Sequence, residues 1–173
     1  MRKRIVLAVV LVLGGALALA AFASYGAADS GKGKVKASRM SSYQEVPSVS
    51  TSGTGRFEAK IKGSTIEYKL TYSGLSGPAA AAHIHFGQVA VNGGIAAFLC
   101  GGGSKPACPA SGTVTGTIVA SDVIGPTSQG IAAGDIGKLI AAMRAGVTYA
   151  NVHTANFPGG ELRGQIKPGN DED

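Results

Sequence analysis

Residues 56–72 read RFEAKIKGSTIEYKLTY, and this stretch decides the fold class. Apolar residues occupy every second position on both sides of Gly63-Ser64: Phe57, Ala59 and Ile61 before it, and Ile66, Tyr68, Leu70 and Tyr72 after it. Side chains alternate between the two faces of a strand, so each run predicts a strand with one buried and one wet face. Two such runs across a two-residue turn predict a β-hairpin.

The rest of the chain predicts more strands of the same kind. Five runs are bounded by Gly, Pro or Ser: residues 80–86, 95–100, 113–119, 147–154 and 161–167. One helix interrupts them, because apolar residues recur at helical spacing from Ile136 to Met143, between a candidate N-cap at Asp135 and Gly146. With 27 glycines and 6% aromatic residues, the composition also favours a turn-rich β protein. We predict an all-β fold, an antiparallel Greek-key-like β-sandwich with one short helix.

The three histidines of the chain form the most specific candidate site. His83 and His85 share one face of a strand, because they are two residues apart, and His153 lies in a later strand. Three neutral imidazoles that converge are typical of a metal site. The alternative is an exposed pair, or rings that only hydrogen-bond backbone carbonyls near turns.

Strand parity places further polar residues on the same side as the histidines. If Ala150 and Val152 face the core, then Asn151 and His153 face the other way, as do Glu161 and Arg163 on the last strand. We expect Asn151, Glu161 and Arg163 to surround the metal ligands, with Asn151 or Glu161 holding a metal-ligating ring in place. Because Glu161 and Arg163 lie two residues apart on one strand face, we also predict a structural ion pair between them that orders residues 157–160.

Cys100 and Cys108 are the only cysteines and flank a Gly-rich loop. In an exported chain they predict a disulfide, whereas metal binding by this pair is disfavoured because two thiols alone make a poor zinc site.

The N-terminus has the features of an export signal. Basic residues 2–4 precede an apolar run that ends in Ala21-Phe22-Ala23, which predicts a signal peptide over residues 1–23 and a secreted, periplasmic or cell-envelope protein. A retained membrane anchor is the alternative. Residues 24–39 predict a basic Gly/Lys-rich linker, residues 40–168 one domain and residues 169–173 an acidic tail.

The charge balance argues against nucleic acid as a partner. The chain has 16 basic and 10 acidic residues, and without residues 2–4 the excess falls from +6 to +3. Basic and aromatic residues do not interleave.

Several stretches resemble the chordin-type (CHRD) domain family in the family's order. They are Tyr43-Gln44-Glu45-Val46-Pro47, residues 72–77, Ala82-His83-Ile84-His85, residues 149–154 and residues 157–165. The resemblance covers residues of about 40 to 167 and implies an extracellular module. Family membership alone does not carry over a partner.

A shorter stretch, residues 83–87, is similar to the copper-ligand strand of Cu/Zn superoxide dismutases, one residue short. That resemblance implies His83, His85 and His153 as copper ligands. It does not extend to a fourth histidine or a zinc loop, which puts dismutase activity in doubt.

Three functional hypotheses follow. The first is an exported binding module that coordinates copper, or less favourably zinc, through His83, His85 and His153, with no catalytic residue assigned. The second is a metal-free structural, adhesive or protein-binding module. The third is a copper-dependent oxidoreductase, so the question of catalysis stays open. The expected partners are a metal ion or an extracellular protein, and a membrane only if the N-terminal segment is retained.

Overall fold

The computed structural model describes residues 33–169, except for the side chain of Ser38. The predicted signal peptide, its cleavage site and acidic residues 171–173 lie outside these residues. Within residues 33–169 no helix is long and apolar enough to cross a membrane.

The hairpin predicted from residues 56–72 is confirmed. Strand β2 spans Thr54–Lys62 and β3 spans Thr65–Ser73, and the two pair in antiparallel register without interruption. Gly63 takes a φ of +56° in the turn between them, a conformation that glycine adopts at little cost. Burial alternates along both strands, with Phe57 and Leu70 fully buried opposite each other.

The five later strands are also confirmed, each within about two residues of its expected bounds. They are β4 (Ala79–Phe86), β5 (Gly94–Cys100), β6 (Gly112–Ile118), β7 (Thr148–Thr154) and β8 (Leu162–Pro168). Short 3-10 helices occupy residues 42–44, 120–122 and 127–129. Helix α1 spans Ile136–Arg144, and the Asp135 side chain caps it by accepting from the backbone N–H of Lys138.

The eight strands form one curled antiparallel sheet in the order β5-β4-β7-β8-β1-β2-β3-β6. The order is not sequential, because the β3–β4, β5–β6 and β6–β7 connections join distant positions in the sheet. A hydrogen bond from Tyr68 Oη on β3 to Leu99 O on β5 (2.6 Å) connects the two ends of the sheet across the core, and Tyr72 Oη donates to Pro109 O (2.6 Å) in the loop between β5 and β6. The all-β sandwich is thereby confirmed, with one short α-helix among residues 33–169.

The predicted boundary between linker and domain is wrong at its C-terminal side. Residues Lys34–Ser41 form strand β1, which pairs with β2 and β8 in the middle of the sheet. Val35 and Ala37 are buried on the core side, so the segment alternates like the other strands. Its lysines, and the glycines that precede it, concealed this alternation in the sequence. The ordered domain therefore begins before residue 40.

The predicted disulfide is confirmed between Cys100 and Cys108. It closes the loop that follows β5 and is consistent with an extracellular location.

Candidate metal centre

Strands β4 and β7 are neighbours and bring the three histidines to one face of the sheet. In their register His83 lies opposite Asn151, and His85 lies opposite Tyr149. Residues directly opposite each other in an antiparallel pair point to the same side, so His153 follows on that face two residues after Asn151. One nitrogen from each ring lies within 4.8 Å of the other two. The predicted convergence is therefore confirmed for His83, His85 and His153.

Two of the rings are oriented by backbone carbonyls. His85 Nδ1 lies 3.0 Å from Gly93 O, and His153 Nδ1 lies 3.0 Å from Pro158 O. A carbonyl oxygen only accepts, so both Nδ1 atoms carry the proton. The Nε2 atoms of these two rings therefore keep their lone pairs, which is the form that binds a metal.

The third ring faces one of these lone pairs at a distance that suits two ligands of one ion. His83 Nδ1 lies 3.1 Å from His153 Nε2. For metal–nitrogen bonds of about 2.05 Å, this separation corresponds to an angle of about 100° at the metal. Such an angle lies between the square-planar and tetrahedral values. The chemistry of the donors and the spacing of this pair thus fit an imidazole-bound transition metal.

Two buried ring nitrogens have no hydrogen-bond partner among the described residues, His83 Nε2 and His85 Nε2. Both rings are well buried, with 6% and 7% of their surface exposed, whereas His153 is partly exposed. Unsatisfied buried polar atoms cost free energy and are rare in native proteins. A bound metal would satisfy such an atom where it acts as the ligand.

The surroundings keep all three imidazoles neutral. Burial, together with the neighbouring His153 and His85, lowers the pKa of His83 to about 3. Burial is also the main cause that lowers the pKa of His85 to about 4, with His153 and Arg163 adding to it against the bond to Gly93. Burial lowers the pKa of His153 as well, against the opposing effect of its bond to Pro158. Metal ions compete with protons for these nitrogens, so the cluster is ready to bind at neutral pH.

Arg163 lies behind the cluster, and its support for the rings is indirect. Its guanidinium carbon lies 3.6 Å from the centre of the Tyr149 ring, and that ring stacks on His85 with centroids 4.8 Å apart. The guanidinium also donates to Gln88 O, Val91 O and Asn92 Oδ1, at 3.1, 2.7 and 3.1 Å. Arg163 therefore fixes the position of residues 87–93. This loop includes Gly93, and the Gly93 carbonyl orients His85.

The predicted ion pair between Glu161 and Arg163 is wrong, because each side chain has other partners. Fully buried Glu161 accepts from Ser76 N (2.7 Å), Ser76 Oγ (2.8 Å) and Thr154 Oγ1 (2.7 Å). Burial would raise the pKa of Glu161, but these hydrogen bonds outweigh it and lower the pKa. Glu161 anchors the loop around Ser76 to the end of β7.

Asn151 lies on the histidine face as expected, but its side chain hydrogen-bonds to Glu45 and Leu162 and not to a histidine ring. Its amide donates to Glu45 Oε1 and to Leu162 O, the latter at 2.7 Å. Burial raises the pKa of Glu45 to about 7, although the bond from Asn151 and the charge of Arg163 oppose the shift.

The groups that orient the histidine rings are backbone carbonyls, those of Gly93 and Pro158. The only sequence signal for them is the pair of turn motifs Asn92-Gly93-Gly94 and Pro158-Gly159-Gly160.

Comparison with known proteins agrees with the resemblance noted in the sequence. A model of the CHRD domain matches residues 37–166. No curated protein and no solved structure matches the chain. The likeness of residues 83–87 to a superoxide dismutase strand therefore rests on that short motif alone.

Proposed function

The chain belongs to the CHRD-domain family, and on this premise we propose that it is an exported binding module that holds one copper ion through His83, His85 and His153. The observation that most strongly supports this proposal is the convergence of three ring nitrogens, which lie within 4.8 Å of one another in neutral rings. Two of these rings are held in one tautomer by carbonyl bonds, so little reorganisation is needed before they bind. The module would buffer, carry or sense copper outside the cytoplasm.

Copper is favoured over zinc by the donor set. Imidazole nitrogen suits both metals, but the general order of stability for divalent ions places copper above zinc. The described ligand cluster contains no thiolate or carboxylate that would shift the balance. Zinc is therefore the second choice, and a water molecule would complete either coordination shell.

A metal-free structural or protein-binding module is the second candidate, and one observation favours it. The three ring contacts, from His83 to His153 and from the other two rings to carbonyls, also form without a metal. Against it stands the unsatisfied Nε2 atom of His85, which a bound metal would satisfy. A purely structural cluster would leave this buried atom without a partner, which costs free energy.

A titration with metals separates the two candidates. The full chain, purified without a histidine tag, is titrated with Cu(I), Cu(II), Zn(II) and Mg(II) against competing chelators, beside the triple variant His83→Ala/His85→Ala/His153→Ala. We expect one tight copper equivalent, weaker zinc binding, no magnesium binding, and loss of the copper site in the triple variant. Equal binding by both proteins would overturn the proposal.

The single variant His153→Ala guards against unfolding of the triple variant, because His153 is the most exposed of the three. It should keep the wild-type circular dichroism spectrum and bind copper more than about 100-fold more weakly. A folded His153→Ala protein with wild-type affinity would equally contradict the proposal.

Export is part of the same proposal and has its own test. The disulfide supports an oxidising compartment. Expression of the full chain in a bacterium, followed by N-terminal sequencing of the product, should give Ser24 as the first residue. A cytoplasmic product that begins at residue 1 would contradict it.

A further inference from the structure

No backbone carbonyl among the described residues orients the ring of His83. His85 and His153 each donate to a carbonyl, whereas the polar contact of His83 is the 3.1 Å approach of its Nδ1 to His153 Nε2. Because His153 donates through Nδ1, its Nε2 accepts, and His83 Nδ1 carries the proton in the metal-free chain. A metal at His83 Nδ1 would displace this hydrogen bond, and the buried Nε2 has no partner among the same residues. Packing must then orient the ring.

The aromatic ring that packs on His83 belongs to Phe98 on strand β5. The sheet register sets His83 opposite Phe98, and the two rings meet edge to face, with centroids 4.5 Å apart and planes at 87°. The charge distribution of aromatic rings favours this arrangement over a face-to-face sandwich. Phe98 therefore restricts how the His83 ring can turn.

The glycine loop, residues 101–107, lies directly against the Phe98 ring. A Cβ atom at Gly102 would lie 2.3 Å from Phe98 Cε1, and one at Gly103 would lie 3.4 Å from Phe98 Cδ2. The backbone of Gly101 approaches strand β4 as closely, because a Cβ atom there would lie 2.2 Å from Ala80 O. The glycines thus let the loop backbone pack both on Phe98 and on the strand that carries His83.

Side chains and the disulfide hold the glycine loop in this position. Lys105 Nζ lies 2.9 Å from Asp122 Oδ2, and Ser104 Oγ donates to Asp122 Oδ1 at 2.7 Å. The Lys105 and Asp122 side chains are only 12% and 9% exposed, so salt screens this pair less than a surface pair. The bond between Cys100 and Cys108 joins the two ends of the loop. Closure restricts a segment whose glycines otherwise allow many conformations.

We propose that Phe98 is a positioning residue of the metal site, and that the Cys100–Cys108 disulfide completes the site by clamping Phe98 on His83. This inference rests on the proposed copper-binding function. The disulfide forms when the two thiols exchange with a disulfide-bearing oxidant, which accepts two electrons and two protons and leaves as a dithiol. Such oxidants act outside the cytoplasm, so the chain reaches its full copper affinity only after export.

Three clamp variants disturb this arrangement at different points. Phe98→Leu removes the ring, Gly102→Ala places a methyl group against it, and Cys100→Ser/Cys108→Ser opens the loop. The φ angle at Gly102 is not positive, so the alanine acts through its contact with the ring. The first two variants keep the disulfide, and they decide the question if the third does not fold.

Two control variants make the same kinds of change away from the cluster. Phe57→Leu removes a fully buried ring on β2. Gly137→Ala adds a methyl group on helix α1, where its nearest neighbour, Asp135 Oδ1, would lie at an ordinary contact distance of 3.7 Å. Circular dichroism first establishes that each protein is folded.

Imidazole 15N NMR of the metal-free full chain reports on His83 without any metal. In wild type and both controls we expect one tautomer of His83, protonated on Nδ1. In the clamp variants we expect nitrogen shifts averaged between the two tautomers, because the ring can reorient. Wild-type shifts of His83 in every folded clamp variant would overturn the proposal, whether or not the chain binds copper.

A copper titration of the same proteins against a competing chelator gives the second result. The clamp variants should bind one equivalent at least about tenfold more weakly than wild type, as is typical when a group that orients a ligand is lost. The controls should bind like wild type, and an equal loss in them would overturn the proposal, because general stability would then be the cause. Wild-type affinity in the clamp variants would overturn it too and leave the copper site standing. A wild-type chain that binds no copper would instead count against the proposed function, and the NMR result would still decide whether Phe98 positions His83.

Discussion

Replacing Arg163 by methionine should weaken both the fold and the metal site, although Arg163 is not itself a ligand. Its side chain is 2% exposed and makes three hydrogen bonds besides its contact with the Tyr149 ring. Methionine fills a similar volume but donates to none of these acceptors.

The expected loss of stability can be worked from these contacts. The acceptors on Gln88, Val91 and Asn92 lie in an exposed loop, so water can replace part of each bond, and each is worth about 1 kcal/mol. The buried cation–π contact adds about 1 to 2 kcal/mol. We therefore expect the free energy of unfolding to fall by about 4 kcal/mol, a large part of the stability of an ordinary domain.

The effect on copper binding follows from the same loop. Without Arg163, residues 87–93 are less fixed, and the Gly93 carbonyl orients His85 less well. Loss of such an outer partner typically lowers metal affinity about 10- to 100-fold. Because His85 Nε2 remains present, one equivalent should still bind.

Guanidinium denaturation and a copper titration measure the two effects, with Lys138→Met as control. Lys138 is also a cation, but its ion pair with Asp135 is 61% exposed on the lysine side and contributes little. An Arg163→Met protein that lost less than about 1 kcal/mol and kept wild-type copper affinity would refute the role assigned to Arg163.

Three other predictions concern the disulfide and the buried titratable groups. Cys100→Ser/Cys108→Ser should lower the free energy of unfolding, measured in urea, by about 2 to 3 kcal/mol. A reductant should destabilise wild type by a similar amount and leave the variant unchanged, and a variant as stable as oxidised wild type would contradict this. Glu45→Gln should be more stable than wild type at pH 8, because burial raises the pKa of Glu45 from 4.5 to about 7 and wild type therefore loses stability as the pH rises through that range. The difference should vanish below about pH 4.5, and a constant difference would argue against a neutral Glu45. The metal-free chain should lose stability as the pH falls from about 6.5 towards 4, since the pKa values of His83 and His85 are lowered to about 3 and 4 and only the unfolded chain takes up protons there. The free energy of unfolding, measured by denaturation between pH 4 and pH 8, should first rise with pH, and it should rise more steeply in Glu45→Gln. A free energy of unfolding that does not change with pH in that variant would contradict buried neutral rings.

The sheet and the histidine face were predictable because both depend on strand alternation. Phe57, Ala59 and Ile61 define a buried face whatever their neighbours are, and the same parity turns His83 and His85 away from Ile84. The adjacency of β4 and β7 was not predictable in this way. It depends on a strand order that is set by contacts between distant parts of the chain.

The errors have equally specific causes. Strand β1 resembles a linker because its lysines, and the glycines just before it, conceal the alternation of Val35 and Ala37 with more exposed residues. Glu161 and Arg163 share a strand face, but each finds partners in a different loop, which spacing along the strand does not reveal. The carbonyls that orient the rings belong to backbone, and their position becomes visible only with the turns of the folded chain.

Anomalous diffraction at the copper absorption edge tests the central claim most directly. Crystals of the full chain grown with one equivalent of copper should show a single strong peak, about 2 Å from one ring nitrogen each of His83, His85 and His153. His83 Nδ1 and His153 Nε2, 3.1 Å apart in the structure, should be two of the three ligands. A peak at any other position, or no peak in crystals of protein that retains copper in solution, would contradict the account.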